Sequence, residues 1–143
     1  MSVVDASVVV DWVAPDADAS GPARRWLRNL AGSPMELSAP RLVFEEVANA
    51  LLTGVRRGRW DGEAADTSFH LLRRLPVQLV DVPADLDRAW ELSRRYDEHP
   101  VYDMVYVAVA ERLGQRLVTA DGRLVRRLKS VSFVVELEAL ARD

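Results

Sequence analysis

The sequence contains no cysteine, only two histidines, and a single lysine, Lys129, among its nineteen basic residues. Disulfide bonds and thiolate metal sites are therefore excluded. His70 and His99 lack the spacing of metal ligands, so we expect neither to have a functional role. No apolar run approaches the roughly 20 residues needed to cross a membrane, and the first five residues lack the basic start of a signal peptide. We therefore expect a cytoplasmic protein with no membrane partner.

The chain has 143 residues, of which 49% are hydrophobic, and a formal net charge of -3. This length fits one domain, residues 1–143, with a substantial core. The basic residues other than Lys129 are arginines, several of them in adjacent pairs. Arginine binds phosphate well, yet such pairs are also common on solvated surfaces. The charge therefore neither requires nor excludes a nucleic-acid partner.

Short β-branched runs alternate along the chain with longer amphipathic segments. This alternation predicts an α/β domain with a mostly parallel central sheet. Residues 8–12 could extend the first strand or open a helix, and a helix is predicted from Pro40 to about Val55, with Gly54 and Gly58 as stop signals. Asp85, Asp87 and Glu91 are interpreted as ordinary helix-start and surface charge. Strands are predicted at residues 2–4, 35–38, 77–82, 116–119 and 131–135.

Asp103 is the one carboxylate in the apolar helix predicted for residues 101–110. It shares a helical face with Tyr106 and Val107, so its carboxylate should point toward the interior. Burial of a carboxylate must be offset by hydrogen bonds, a countercharge or a cation. Alternatively, Asp103 caps the helix that follows Pro100.

Glu46 lies at the edge of the apolar stripe that Val47 and Leu51 form on the helix predicted after Pro40. Its neighbour Glu45 lies nearly opposite, so Glu46 is the inward acid. Asn49, one turn later, shares the side of Glu46 and could hydrogen-bond that carboxylate or a ligand. A solvated surface role for Glu46 is the alternative.

Asp5 and Asp121 end the first and fourth predicted strands. Ligands gather at the carboxyl ends of parallel strands, so both acids are expected at that edge, where Glu46 and Asp103 could join them. Four carboxylates without a cation would repel one another, and oxygen ligands suit Mg²⁺ or Mn²⁺. Such a site could hydrolyse phosphodiester bonds.

Four segments, in order, carry a family resemblance: VDAS at residues 4–7, Pro40 through EVANAL at residues 46–51, YD followed by YVAVA at residues 102–110, and LVTAD at residues 117–121. Together they resemble a PIN domain of the VapC toxin type over nearly the whole chain. The resemblance implies a three-layer α/β/α sandwich with a mostly parallel sheet and an acidic site at the carboxyl edge of the strands.

The resemblance also implies a function. The chain would be the toxin of a type II toxin–antitoxin system, an Mg²⁺- or Mn²⁺-dependent endoribonuclease that inhibits translation and is neutralised by a VapB-type antitoxin. A homodimer, or a larger complex with the antitoxin, is expected. By motif, Asp5, Glu46, Asp103 and Asp121 are the metal-binding and catalytic acids, while Ser7 and Thr119 are polar positions that support the site or its substrate.

Other readings of the acidic pattern fit less well. A phosphatase of the haloacid dehalogenase type needs a second aspartate two residues after Asp5, where this chain has Ser7. A receiver domain would use Thr119 and Lys129, but its acids are distributed differently. The main alternative is a non-catalytic PIN-fold module that binds RNA or protein, and the intact set of four acids argues against it.

Overall fold

The computed structural model describes residues 1–33 and 36–141, in which the chain forms a five-stranded sheet with the order β3-β2-β1-β4-β5. Every neighbouring pair of these strands is parallel. The predicted sheet is confirmed, with end shifts in the second, third and fifth strands; Met35, the first residue of the predicted second strand, lies outside the described residues. The strands are β1 (Ser2–Val4), β2 (Leu37–Pro40), β3 (Val77–Val80), β4 (Arg116–Thr119) and β5 (Val134–Glu136).

Helices connect the strands, and several begin at a side-chain cap. Residues 8–12 lie in the first helix because the Asp5 carboxylate accepts hydrogen bonds from backbone N–H groups of its first turn. Asp61 caps the fourth helix in the same way. No helix of residues 1–33 and 36–141 is long and apolar enough to span a membrane. The helices are α1 (Ala6–Val13), α2 (Pro22–Leu30), α3 (Leu42–Arg56), α4 (Gly62–Leu72), α5 (Ala84–Arg95), α6 (Val101–Leu113), α7 (Gly122–Arg127) and α8 (Leu137–Ala141).

The sheet is the central layer of the predicted three-layer sandwich. Helices α1 to α4 pack in a chain of contacts with one another, and α5 packs along α6, which crosses β1, β2 and β4. The central strands are fully buried, as Val3, Val4 and Val118 show. From β1 the chain moves outward through β2 to β3 and then returns to place β4 on the other side of β1. The crevice at the ends of β1 and β4 is therefore the topological switch point, where ligands bind in such folds.

Two local predictions are wrong. Gly54 does not end α3 but lies inside it, packed against the ring of Trp60, whose indole N–H donates to the carbonyl oxygen of Leu51. Asp85 is not a surface charge: it is 5% exposed and forms a bidentate pair with Arg112, at 2.8 and 2.9 Å, which joins α5 to α6. The first contact depends on how the segment after α3 folds back onto the helix, and the second depends on a residue of another helix, so local sequence patterns do not reveal them.

Candidate metal centre

Asp5 is the most buried of the four predicted acids, at 6% exposure. It follows β1 directly, and its Oδ1 accepts hydrogen bonds from the backbone N–H of Ser7 (3.1 Å), the Ser7 hydroxyl (2.5 Å) and the backbone N–H of Val8 (3.4 Å). Burial raises the pKa of Asp5 to about 6, and the charge of Asp103 adds to this rise, while hydrogen bonds from Ser7, Thr119 and Val8 oppose it. Hydrogen bonds thus fix the orientation of the Asp5 carboxylate, while its burial leaves the charged form poorly solvated.

Hydroxyl groups connect the end of β1 to the end of β4. The Ser7 hydroxyl oxygen accepts from the backbone N–H of Ala120 (2.9 Å) and lies 3.3 Å from the Thr119 hydroxyl. The Thr119 oxygen in turn accepts from the backbone N–H of Asp121 (3.0 Å). The carboxylate of Asp121 caps α7, accepting from two backbone N–H groups at 2.9 and 3.3 Å. The structure therefore brings Ser7 and Thr119 to Asp5, and these two hydroxyl groups connect it to the turn that bears Asp121.

Glu46 faces inward on α3, as its helical position predicts, and Oε1 accepts a 2.6 Å hydrogen bond from the hydroxyl of Tyr106. Burial raises the pKa of Glu46, the bond from Tyr106 lowers it, and the charge of Asp103 raises it. Glu45 points outward, 3.7 Å from Arg41. Asn49 is exposed, and in the described part of the chain it forms no hydrogen bond with Glu46.

Asp103 is less buried than its apolar helix predicts, since its side chain is 35% exposed. It lies in the first turn of α6, where the exposed end of the helix leaves one side open. The helix begins at Val101 after Pro100, with no side-chain cap, so Asp103 does not have the alternative capping role. Its Oδ2 lies 2.6 Å from Nε2 of His99. The sequence did not reveal this contact, and whether His99 has a functional role stays open to test.

Three of the carboxylates act on one another electrostatically. The charge of Asp103 raises the pKa of both Asp5 and Glu46, after the larger effect of burial. Burial also raises the pKa of Tyr106, as do its hydrogen bond to Glu46 and the charges of Glu46, Asp5 and Asp103. Within residues 1–33 and 36–141, none of the four predicted acids forms an ion pair with arginine or lysine. Among the described residues, the site thus concentrates negative charge without an arginine or lysine counterion.

These donors fit a divalent cation chemically. Carboxylate oxygens are hard ligands, and a cation would offset both the burial of Asp5 and the repulsion among the acids. In the described parts of the chain, however, no three acidic or histidine side chains are close enough together to hold an ion as they stand. Glu46 is hydrogen-bonded to Tyr106, and Asp103 to His99. Binding of an ion therefore requires these side chains to exchange some of their present contacts for the cation.

His99 and Tyr106 are the residues near the site to which sequence reasoning assigned no role. Tyr106 carried a usable signal, since it lies one turn after Asp103 on the same face of the helix. His99 precedes the helix, and its orientation depends on the conformation of the turn before Pro100. Its position next to Asp103 could be found only in three dimensions.

Comparisons with known proteins agree with this architecture. The family model described as PIN domain matches residues 2–129. Ribonuclease VapC3 of Mycobacterium tuberculosis is 36% identical over 124 residues, covering 87% of this chain and 85% of the relative. Ribonuclease VapC9 of the same organism is 34% identical, covering 87% and 88%. The crystal structure of PAE2754 from Pyrobaculum aerophilum superposes with a TM-score of 0.71 at 27% identity, covering 99% of this chain and 93% of that one.

Proposed function

This chain belongs to the PIN domain family and is of the VapC type, and we propose that it is a metal-dependent endoribonuclease, the toxin of a type II toxin–antitoxin system. The relatives named VapC ribonucleases match most of the chain. The observation that carries the proposal is the convergence of Asp5, Glu46 and Asp103 at the switch point of the sheet, with no arginine or lysine ion pair to them among the described residues.

The metal is proposed to be Mg²⁺, for which Mn²⁺ can substitute, with Asp5, Glu46, Asp103 and Asp121 as its ligands. A bound divalent ion would supply Lewis-acid chemistry, activating water for attack and offsetting charge on the phosphate. The acids differ in how the protein holds them. Asp5 and Asp121 are fixed by backbone N–H groups at helix starts, so their orientation is set by the fold before any ligand binds.

Neighbouring hydroxyl groups orient two of the acids. Ser7 donates to Asp5 Oδ1, the oxygen that also accepts from the backbone N–H groups of Ser7 and Val8, and so helps to fix that carboxylate. Tyr106 donates to Glu46 Oε1 and so fixes the position of that carboxylate. Ser7 and Thr119 are therefore proposed as support for the site; Asn49, exposed one turn beyond Glu46, is proposed to contact substrate instead.

We further propose that residues 1–143 act as one PIN domain in the cytoplasm, where translation provides the RNA substrate. The partner that neutralises the toxin is proposed to be a VapB-type antitoxin, and the toxin to form a homodimer or a larger complex with it. An antitoxin arginine that reached the acids would supply the countercharge that the site lacks in the described residues.

The test is cleavage of purified tRNA and ribosomal RNA by the wild-type protein and by acid-to-amide variants, with Mg²⁺ or with EDTA. We expect cleavage with Mg²⁺, none with EDTA, and a loss of at least about 100-fold in Asp5→Asn, Asp103→Asn and Glu46→Gln. Asn at position 5 can still accept the capping bonds, so this variant should remain folded. Calorimetric titration with Mn²⁺ should show binding to the wild type that is lost in Asp103→Asn.

Glu45→Gln is a matched control, because Glu45 adjoins Glu46 but points outward. It should cleave like the wild type. Cleavage that persists in EDTA or in the folded acid variants would contradict the mechanism. RNA binding without cleavage under any metal condition would instead favour the alternative, a non-catalytic PIN-fold module that binds RNA or protein.

A further inference from the structure

A cavity of about 340 Å³ lies next to the acidic site, between the end of α5 and the start of α6. Its lining includes Trp90, Ser93, Arg94 and His99. His99 also contacts Asp103, with 2.6 Å between the imidazole Nε2 and the carboxylate Oδ2. The cavity is therefore separated from one of the predicted metal ligands by a single side chain.

Trp90 presents its indole to solvent at the rim of this cavity, with 65% of the residue exposed. Trp12 and Trp26, in contrast, are 2% and 4% exposed and stack on each other in the core. An exposed indole contributes nothing to the core and leaves a large flat apolar surface in water. Such a surface suits a planar ligand, because every nucleobase can stack on an aromatic ring.

Ser93, one turn of helix from Trp90, lines the same cavity and is 7% exposed. Its hydroxyl has no hydrogen-bond partner within residues 1–33 and 36–141. A buried hydroxyl without a partner is unfavourable, so proteins seldom retain one that nothing satisfies. The hydroxyl lies beneath the cavity surface, so a ligand with hydrogen-bonding groups on its edge could supply the missing partner once the serine side chain rotates toward the cavity.

We propose that this cavity is a nucleobase subsite, in which a base of the RNA substrate beside the cleavage position stacks on Trp90 and hydrogen-bonds to Ser93. This inference rests on the proposed ribonuclease function. The volume lies at the lower end of the about 300–1,000 Å³ typical of ligand sites, which suits one base. The Arg94 side chain is 67% exposed, and its ion-pair partner Glu98, 3.4 Å away, is 65% exposed. The guanidinium is therefore accessible to the phosphate next to the stacked base.

The test measures binding of fluorescein-labelled homopolymers of A, C, G and U, each a single-stranded RNA, in EDTA so that no cleavage occurs. We expect Trp90→Ala to weaken binding about tenfold, the effect of losing one base–aromatic stack, and Trp90→Phe to retain most of it. RNA should quench the tryptophan fluorescence of the wild type but not that of Trp90→Phe. Ser93→Ala should reduce the differences in affinity among the four homopolymers.

Leu86→Ala is the matched control, because Leu86 lies on the same helix and is 57% exposed; its RNA affinity should stay within about twofold of the wild type. Unchanged binding by folded Trp90→Ala, or no binding of any homopolymer by the wild type, would overturn the subsite. So would a Trp90→Ala variant that loses only self-association, because Trp90 would then belong to a protein interface. If the wild type cleaves RNA and Trp90→Ala binds RNA as tightly as the wild type, the subsite is refuted and the ribonuclease function is not. If RNA binding depends on Trp90 but no cleavage occurs, the ribonuclease function is refuted and the subsite is not.

Discussion

The four predicted acids are held by partners of different kinds, and this difference bears on what each can do. Asp5 and Asp121 accept from backbone N–H groups, Glu46 from a phenol, and Asp103 lies against an imidazole. Backbone partners are fixed by the fold, whereas side-chain partners can be removed singly by mutation. The bond between Tyr106 and Glu46 is therefore the most direct place to ask whether orientation of an acid matters.

Tyr106→Phe should reduce RNA cleavage about 10- to 100-fold, the usual effect of removing a group that orients a metal ligand. It should also lower the free energy of unfolding by about 1–2 kcal/mol, because phenylalanine fills the same buried space but leaves Glu46 Oε1 without its donor. Cleavage assays and urea unfolding measure the two effects separately.

Tyr102→Phe is the control for this variant, since Tyr102 is 59% exposed on the same helix. It should behave like the wild type in both assays. A Tyr106→Phe protein that loses stability but cleaves RNA at the wild-type rate would show that the hydroxyl serves the fold and not the site.

Single-residue positions were predictable where one local rule decides them. Asp5 and Asp121 follow strands, and helical geometry alone places Glu46 inward and Glu45 outward. The environment of Asp103 was not predictable in this way. Its partial exposure depends on the open start of α6, and its contact with His99 depends on the turn before Pro100.

At the level of elements, the order and type of strands and helices followed from the sequence because proline, glycine and aspartate mark most boundaries. The run at residues 8–12 was ambiguous, since valine-rich segments suit strands and buried helices alike. The cap at Asp5 decides it as a helix. The prediction from Gly54 was wrong because glycine often ends a helix, whereas here its missing side chain leaves room for the ring of Trp60 from the following segment.

Gly54→Ala should lower the free energy of unfolding by about 1–3 kcal/mol, as expected for overpacking of a well-filled contact. A Cβ at this position would lie 2.0 Å from Cζ2 of Trp60, so the ring must move and its hydrogen bond to the Leu51 carbonyl is put at risk. Urea unfolding monitored by circular dichroism gives the change.

Gly62→Ala provides the comparison at the start of α4, where an added Cβ meets nothing within 4 Å. This variant should match the wild type or gain up to about 1 kcal/mol, because alanine favours helix more than glycine does. If both variants were equally stable, the close approach of Trp60 to α3 would not be a constraint on the packing of these helices.

At the scale of the whole molecule, the acidic site lowers the stability of the fold. Its central acid, Asp5, is buried, the charge of Asp103 raises its pKa further, and Asp5 has no arginine or lysine ion pair in the described residues. Functional sites commonly reduce stability in this way, and a ligand that binds only the native state restores it. Stability should therefore respond to pH and to metal through the same residue.

Because burial raises the pKa of Asp5 from 3.8 to about 6, the native protein binds this proton more tightly than the unfolded chain does. The contribution of Asp5 to stability is thus greatest below about pH 4 and falls as the pH rises through 6. Without metal at pH 7.5, Asp5→Asn should be more stable than the wild type, by at most about 3 kcal/mol since a tenfold change in proton affinity is about 1.4 kcal/mol. This difference should vanish toward pH 4.

Added Mn²⁺ should then reverse the order of the two proteins at pH 7.5. At about 1,000 times its dissociation constant the ion adds about 4.1 kcal/mol to the wild type, which has the complete set of acids, and little to Asp5→Asn. Urea unfolding of both proteins at pH 4 and 7.5, with and without Mn²⁺, measures every quantity. An equal response of both proteins to Mn²⁺ would exclude Asp5 from the metal site, and a metal-free difference that did not depend on pH would show that its carboxylate is not destabilised by burial.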